Sequence, residues 1–294
     1  MIQEAIRLVV DGKSLTMDQS SQVMDEIMDG KTTGAQLGAL STALRFKGET
    51  VDEVAGMART MRKKSLHVST NGPVVDTCGT GGDGSNTFNI STAAAFVVAG
   101  CGVKVAKHGN RAMSGACGSA DVLETLGVNI ELGPAGVQRC LKDIGFGFMF
   151  AQIFHPSMRH AAAPRKEIGI RTVFNILGPL TNPAMAKMQL IGVSEPNIGE
   201  KIAEILRKLE STHALVVHGQ DGLDEISLGA PTKVWELKDN RVNTYLIEPS
   251  DLGLNTVHKD SITVVDAKES AQRLNDVLQG DTGPFRDMVL ANAA

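Results

Sequence analysis

The first 66 residues place their apolar side chains at the spacing of amphipathic helices. A first helix is predicted from Ile2 to Val10. Three further apolar runs each follow a capping box, in which a threonine and a Gln or Glu three residues later satisfy free backbone amides at a helix start. These capping boxes are Thr16-x-x-Gln19, Thr33-x-x-Gln36 and Thr50-x-x-Glu53. Four short helices joined by tight turns predict a small bundle, so we expect an N-terminal helical domain over residues 1–72.

Beyond residue 73, short apolar runs alternate with helical patterns. Strands are predicted at 74–77, 103–106, 128–132, 146–150, 189–193 and 213–218, and helices at 91–100, 119–126, 134–144, 197–209, 266–279 and 284–294. Such alternation is typical of a parallel sheet with crossover helices. The pair Asp239-Asn240, between strand patterns at 233–238 and 241–247, predicts an antiparallel hairpin. The predicted fold class is α/β, with a small N-terminal helical bundle domain and a larger α/β domain over 73–294, whose central sheet is mainly parallel with an antiparallel edge hairpin.

Two stretches depart from this alternation. Residues 155–183 carry helical pieces around 157–168 and 172–176 and no strand pattern. At the other end of the chain, the apolar pattern of Met288, Val289 and Leu290 lacks the glycine, asparagine or basic residue that commonly ends a helix. We therefore expect this last pattern to belong to a longer chain.

Composition and charge narrow the possible classes of protein. With 42% hydrophobic residues, 294 residues can bury a substantial core, built from aliphatic side chains because aromatics make up only 4%. A formal net charge of −4 gives no general attraction to nucleic acid or anionic membranes. The four cysteines lack Cys-x-x-Cys spacing, which disfavours a zinc site. The sequence lacks a secretory signal pattern and a long apolar segment, which predicts a cytoplasmic protein.

Two glycine-containing loops are the candidates for anion binding. The first holds Gly79, Gly81, Gly82 and Gly84 between a strand pattern and a helix that begins near Ser91. Glycines let backbone amides approach an anion, and a helix start adds partial positive charge. The second loop, Lys107-His-Gly-Asn-Arg111, follows the next strand and supplies cations. Because carboxyl ends of parallel strands meet at one edge of a sheet, we expect both loops to line one site.

Two other features allow a functional and a structural interpretation. Asp224 and Glu225 follow the strand that ends at His218, and they could form a solvated turn or hold Mg²⁺ together with phosphate oxygens. Arg165 could form a surface ion pair, with Glu167 for example, or bind a carboxylate through its planar guanidinium. The residues alone do not decide between the two interpretations of Asp224 and Glu225, or between those of Arg165.

Four motifs resemble those of the anthranilate phosphoribosyltransferase family, and the resemblance runs the length of the chain. They are Gly79-Thr-Gly-Gly-Asp83, Thr87-Phe-Asn-Ile-Ser-Thr92, Lys107-His-Gly-Asn-Arg111 and Gly178-Pro-Leu-Thr-Asn-Pro183. The resemblance implies transfer of a 5-phosphoribosyl group from phosphoribosyl pyrophosphate (PRPP) to the amine of anthranilate, with release of pyrophosphate, in tryptophan biosynthesis. It also implies that residues 155–183 rejoin the helical domain and that the N-terminal helices join a homodimer.

The same resemblance implies three sets of site residues. Anthranilate would contact Gly79, Asn110 and Arg165, and two Mg²⁺ ions would bind Ser91, Asp224 and Glu225. PRPP would contact Gly79, Gly82, Asp83, Thr87, Asn89, Ile90, Ser91, Thr92, Lys107, His108, Gly109, Asn110, Arg111, Ala112, Met113, Ser114, Gly115 and Ser119. Lys107 and Arg165 would stabilise charge and position the substrates without a covalent intermediate.

Two details bear on these expectations. His108 is either a general base or a hydrogen-bonding residue of the loop, and we favour the second role. Ala116 stands in a stretch where many relatives have more serine and a Lys or Arg, so a phosphate contact there is in doubt.

Two other functions remain as alternatives. A pyrimidine nucleoside phosphorylase shares the two-domain plan, but it carries a serine after the Lys-His pair, where this chain has Gly109. A non-catalytic relative that binds nucleic acid would need a basic face that the net charge does not indicate.

Overall fold

The computed structural model describes residues 1–112 and 117–294, and its first 64 residues form a helical bundle. The helices are α1 (Ile2–Val10), α2 (Met17–Met28), α3 (Gly34–Lys47) and α4 (Val51–Lys64). All three predicted capping boxes are present. In the first, Gln19 N–H donates to Thr16 Oγ1 at 3.2 Å and Thr16 N–H donates to Gln19 Oε1 at 2.9 Å. The helix starts were therefore predictable because each is determined by local hydrogen bonds.

In the described ranges, seven strands form one sheet in the order β3-β2-β1-β4-β5-β6-β7. The strands are β1 (Val75–Gly79), β2 (Val105–Gly109), β3 (Phe146–Phe150), β4 (Met188–Gly192), β5 (His213–Gly219), β6 (Thr232–Lys238) and β7 (Arg241–Ile247). The first five are parallel, and β6 and β7 add an antiparallel edge. Asp239 and Asn240 have φ values of 51° and 60°, which is the left-handed turn that a two-residue hairpin needs. The predicted fold class is confirmed.

Helices cover both faces of the sheet. They are α5 (Ile90–Gly100), α6 (Ser119–Thr125), α7 (Pro134–Asp143), α8 (Ala151–Phe154), α9 (Arg159–Ile168), α10 (Phe174–Leu177), α11 (Gly199–Lys208), α12 (Ala267–Gln279) and α13 (Pro284–Ala293). Within the part of the chain that the structure describes, none of these helices has the length and apolarity needed to cross a membrane.

The strand predicted at 128–132 is wrong. Asn129 accepts a hydrogen bond from Glu131 N–H through its side-chain Oδ1 at 2.9 Å, and this closes a turn between α6 and α7. Ile130 is buried while Val128 is 36% exposed. The alternating apolar pattern thus reflects a turn from which Ile130 and the partly buried Leu132 pack against the core, and this pattern resembles a strand in sequence.

Helix α9 leaves the sheet and packs against α2 and α3 of the bundle. A Cβ atom built on Gly34 would lie 3.5 Å from Pro164, and one built on Gly38 would lie 3.8 Å from Ile168. The small residues of α3 therefore let α9 approach closely. This contact agrees with a discontinuous helical domain, and the domain boundaries themselves stay a prediction.

Candidate functional site

The central strands β1 and β4 mark the point where the chain changes direction across the sheet. From β1 it proceeds to β2 and β3 on one side, and then it returns to β4 on the other. Gly79 and Gly192 pair at the carboxyl ends of these two strands. In open α/β sheets such a switch point leaves a crevice between diverging loops, and ligands bind there.

The Gly-rich loop after β1 is anchored by hydrogen bonds at Gly81. Its N–H donates to Asp224 Oδ2 at 3.1 Å, and its carbonyl accepts from Arg171 Nη1 at 3.2 Å and from Ser194 Oγ at 3.1 Å. The next residue, Gly82, has φ 82°, and a Cβ atom there would collide with the Arg171 guanidinium. Glycine is therefore required at position 82 both by its backbone angle and by its neighbour.

Asp83 and Thr87 continue this loop. Asp83 accepts hydrogen bonds from the Ser85 hydroxyl at 2.5 Å and from Ser85 N–H at 3.2 Å. The Ser85 hydroxyl also lies 3.4 Å from Thr87 Oγ1. These contacts fold the second half of the loop back on itself.

The N-terminus of α5 follows directly. Asn89 caps it by accepting a hydrogen bond from Thr92 N–H at 3.1 Å. The side chains of Ile90 and Thr92 are fully buried, and their backbone N–H groups donate to the Phe88 carbonyl and to Asn89 Oδ1 within the protein. The Ser91 hydroxyl accepts a hydrogen bond from Lys107 Nζ at 3.1 Å.

Lys107 lies beneath the loop and is only 1% exposed. Its ammonium donates to the carbonyl and the hydroxyl of Thr77 as well as to Ser91. Burial lowers the pKa of Lys107, while the carboxylates of Asp76 and Glu225 favour its charged form. When protonated, Lys107 places its positive charge directly behind the Ser91 hydroxyl, to which it donates a hydrogen bond.

Asp224 and Glu225 reach the crevice from the loop after β5. A Cβ atom on Gly79 would lie 2.8 Å from Asp224 Oδ2, and one on Gly192 would collide with the Asp224 carbonyl. Asp224 can approach this closely because both strand ends are glycine. Burial and the negative charge of Asp83 raise the pKa of Asp224 to about 7, and burial and Asp224 raise that of Glu225 well above its usual value.

These oxygens suit a hard cation such as Mg²⁺ better than a transition metal. Among residues 1–112 and 117–294, no group of three or more His, Cys, Asp and Glu side chains could hold a metal alone. A cation at Asp224 and Glu225 would therefore need additional oxygen ligands, and phosphate oxygens are of the required kind. The arrangement fits Mg²⁺ bound together with a phosphorylated substrate.

His108 lies in the core and does not face the crevice. Its backbone N–H donates to Asp76 at 3.1 Å, and its ring centre lies 5.0 Å from that of His155. Burial, with smaller contributions from His155 and Lys107, lowers the pKa of His108 to about 3. The ring is thus neutral at physiological pH, and its burial agrees with a structural role.

The second loop is held by acidic residues of α6. Arg111 Nη1 lies 3.1 Å from Asp121 and 2.7 Å from Glu124, and the guanidinium stacks 5.6 Å from the centre of the Phe150 ring. Asn110 accepts a hydrogen bond from Arg111 N–H at 2.8 Å. To bind phosphate, Arg111 would have to leave or share these carboxylates.

The rest of this loop is only partly described. Ala112 N–H donates to Asp121 at 2.9 Å, Gly109 ends β2, and Ser119 begins α6. Met113, Ser114, Gly115 and Ala116 lie outside the described residues.

Arg165 is half-buried on α9, with its guanidinium 5.1 Å from the centre of the Phe174 ring. Burial lowers its pKa. The ion pair with Glu167 that the sequence allowed is not formed, and within the described ranges no carboxylate lies within 4.0 Å of this guanidinium. A partly desolvated arginine that lacks an anionic partner is well suited to bind the carboxylate of a ligand.

The sequence did not identify Arg171 and Ser194 as site residues. Both donate to Gly81, which lies 90 and 113 positions away in sequence. Ser194 follows β4 at the switch point, and a polar residue just after a strand end was the feature that could have indicated its role in the site. Arg171 follows a helix, α9, and its sequence position gave no such indication. Its contact with Gly81 forms only because the segment 155–183 returns to the sheet.

Comparison with known proteins gives a consistent family. Residues 3–65 match the "Glycosyl transferase family, helical bundle domain", and residues 71–294 match the "Glycosyl transferase family, a/b domain". The chain is 57% identical over 296 residues to an anthranilate phosphoribosyltransferase of Dehalococcoides mccartyi, covering all of this chain and 87% of that protein. It is 56% identical over 295 residues to the enzyme of that name from Herpetosiphon aurantiacus, with the same coverage.

Solved structures agree with this result. The crystal structure of anthranilate phosphoribosyltransferase from Thermus thermophilus superimposes with a TM-score of 0.93 at 41% identity, covering 98% of this chain and 87% of that one. The Saccharomyces cerevisiae enzyme in complex with PRPP and Mg gives a TM-score of 0.90 at 29% identity, covering 99% and 86%.

Proposed function

The chain belongs to the glycosyl transferase family that includes the anthranilate phosphoribosyltransferases, and we propose that it catalyses their reaction. The 5-phosphoribosyl group of PRPP is transferred to the amine of anthranilate, which gives N-(5-phosphoribosyl)anthranilate and pyrophosphate in tryptophan biosynthesis. The observation that carries this proposal is the junction of Gly81 with Asp224, where an amide-rich loop meets an acidic pair at the switch point.

The diphosphate of PRPP would lie against the Gly-rich loop and the start of α5. The backbone amides of this region supply donors, and the helix start supplies partial positive charge. Ser91, Asp224 and Glu225 would hold two Mg²⁺ ions, which would neutralise charge on the departing pyrophosphate. In its charged form, which Asp76 and Glu225 favour, Lys107 would add positive charge behind Ser91, to which it is hydrogen-bonded at 3.1 Å.

Anthranilate would bind through its carboxylate to Arg165, with Gly79 and Asn110 at the edges of its pocket. The Phe174 ring lies over the Arg165 guanidinium at 5.1 Å, and this contact would help to hold the donor fork in place. An aromatic amine is a weak nucleophile. Alignment of the amine with C1 of the ribose and stabilisation of the leaving group must therefore account for most of the rate enhancement.

Three further properties belong to this proposal. The helical domain comprises residues 1–72 joined by 155–183, and the protein is cytoplasmic. Two copies form a homodimer through the N-terminal helices. Helices α1 and α3 pack side by side and leave Val10 66% and Phe46 96% exposed, which provides an apolar surface for the second copy.

Loss of anthranilate fluorescence on mixing the protein with PRPP and Mg²⁺ tests the reaction directly. Phosphorolysis of thymidine or uridine without loss of anthranilate would identify a nucleoside phosphorylase instead.

A double variant, Asp224→Asn with Glu225→Gln, tests the metal ligands. We expect the rate to require more than tenfold higher Mg²⁺ and the saturating rate to fall, because the ligands also act on the leaving group. The matched control is Asp25→Asn with Glu26→Gln, an adjacent acidic pair on the surface of α2. Mg²⁺ titrations of wild type and the Asp224/Glu225 variant that superimpose would refute the assignment of these ligands.

A further inference from the structure

The backbone of Gly81 is held at both its N–H and its carbonyl by residues far away in the sequence. Its N–H donates to Asp224, and its carbonyl accepts from Arg171 and Ser194 at 3.2 Å and 3.1 Å. Neighbouring contacts extend this attachment, since Ser194 N–H donates to Thr80 Oγ1 at 3.2 Å and Thr80 N–H donates to the Gly192 carbonyl at 2.9 Å. The first half of the Gly-rich loop is thus joined to the end of β4.

Such a loop needs external attachment. Gly81, Gly82 and Gly84 all have positive φ values between 63° and 82°. Glycine has more conformational freedom than other residues, so a loop with three of them loses much entropy when it is ordered. If substrate binding had to order this loop, part of the binding free energy would be used for that purpose.

Arg171 is itself held in position. Its Nε lies 3.6 Å from Glu195 Oε1, and its guanidinium occupies the space that a Gly82 side chain would fill. The side chain is 35% exposed, so it is a surface residue attached to the loop and not part of the buried core. Its Nη1 therefore donates to the Gly81 carbonyl, while its Nε lies toward Glu195.

We propose that Arg171 and Ser194 are positioning residues that hold the Gly81 carbonyl, and with it the Gly-rich loop, in the binding conformation before PRPP arrives. This inference rests on the proposed function and assigns to the two residues a role that acts through the loop. Their removal leaves the catalytic groups and the anthranilate pocket in place but makes the loop mobile. The effect should therefore fall on PRPP and spare anthranilate.

The test uses Arg171→Met and Ser194→Ala, alone and combined, with two measurements. One is the pair of Michaelis constants, and the other is the dissociation constant of PRPP with Mg²⁺ measured by calorimetry without anthranilate. We expect both PRPP constants to rise about tenfold or more in Arg171→Met and about fivefold in Ser194→Ala, since charged donors form the stronger hydrogen bonds. The anthranilate constant should change less than twofold.

The double variant tests whether both residues act on one carbonyl. Once Arg171 is lost the loop is already mobile, so the added Ser194→Ala change should raise the PRPP constants by less than its effect alone. Arg171→Lys, which keeps a cation but not the planar fork, should restore part of the affinity. If the two single effects multiply without coupling, the shared carbonyl is not the point of action and the proposal fails.

Arg159→Met is the matched control, because Arg159 is an exposed arginine at the start of α9 on the same segment. It should leave both constants unchanged, and all variants should melt within about 2 °C of wild type. An equal rise in the anthranilate constant of Arg171→Met, or an unchanged PRPP affinity, would overturn the proposal. If the wild type consumes no anthranilate, the proposed reaction fails, while PRPP calorimetry still tests the role of the two residues.

Discussion

The buried histidine pair predicts a loss of stability in mild acid. His108 and His155 are 7% and 4% exposed, and their ring centres are 5.0 Å apart. His155 Nε2 bonds to the Thr181 carbonyl at 3.0 Å, whereas His155 Nδ1 and His108 Nε2 have no partner among the described residues. Burial lowers the pKa of His155 to about 4, and burial together with His155 and Lys107 lowers that of His108 to about 3.

The sign of the effect follows from proton binding. Both imidazoles stay neutral in the folded protein, while in the unfolded chain they take up protons below about pH 6.5. The free energy of unfolding is therefore unaffected above this pH and falls as the pH drops from about 6.5 toward the folded pKa values. At pH 5 each histidine contributes a loss of about 2 kcal/mol, or roughly 4 kcal/mol for the pair. This is a large part of the stability of an ordinary domain.

Urea unfolding followed by circular dichroism between pH 7.5 and 4.5 measures this loss. His155→Gln keeps a donor for the Thr181 carbonyl but cannot titrate, so the loss between pH 7 and 5 should shrink by about 2 kcal/mol. His67→Gln removes an exposed imidazole and is the control, with a pH profile that should superimpose on wild type. If His155→Gln keeps the full wild-type pH dependence, the histidine pair is not what makes the protein sensitive to acid.

Three other changes test separate parts of the molecule. Arg165→Ala should raise the Michaelis constant for anthranilate by about tenfold to over a hundredfold and leave that for PRPP unchanged, since it removes a charge-assisted hydrogen bond. An equal rise in both Michaelis constants would mean that Arg165 stabilises the fold and does not bind anthranilate. Gly192→Ala should lower the free energy of unfolding by about 2 kcal/mol, because its Cβ collides with the Asp224 carbonyl. Gly100→Ala, which meets open space, is its control, and equal stabilities would contradict the close approach. Phe46→Ser should shift the protein from dimer to monomer in sedimentation, whereas Ile144→Ser, which also alters an exposed apolar residue, should not; a dimeric Phe46→Ser would place the interface elsewhere.

Features determined by nearby residues were predictable from the sequence. The capping boxes at Thr16, Thr33 and Thr50 and the hairpin turn at Asp239-Asn240 all form hydrogen bonds or backbone angles within a few residues. The Gly-rich loop was also recognisable, because its glycines stand between a strand and a helix. In each case the signal and the structure lie in the same short stretch.

Features determined by distant contacts were not predictable in this way. Asp224 meets Gly81 across 143 positions in sequence, and no local pattern indicates that the glycines at the strand ends are there to admit it. The pairing of Arg111 with Asp121 and Glu124 is intermediate between features determined by nearby residues and features determined by distant contacts. Two carboxylates lie within the next 13 positions of the sequence, whereas the family resemblance implies a phosphate contact for Arg111.

The attachment of α9 to the bundle affects how the chain folds as it is synthesised. Helices α1 to α4 leave the ribosome early, but the helix that covers α2 and α3 begins at Arg159, about 95 residues after Lys64. At about 5–20 residues per second, the small-residue surface of α3 waits roughly 5 to 20 seconds for its partner. During this interval the nascent bundle exposes the surface around Gly34 and Gly38 that α9 later covers.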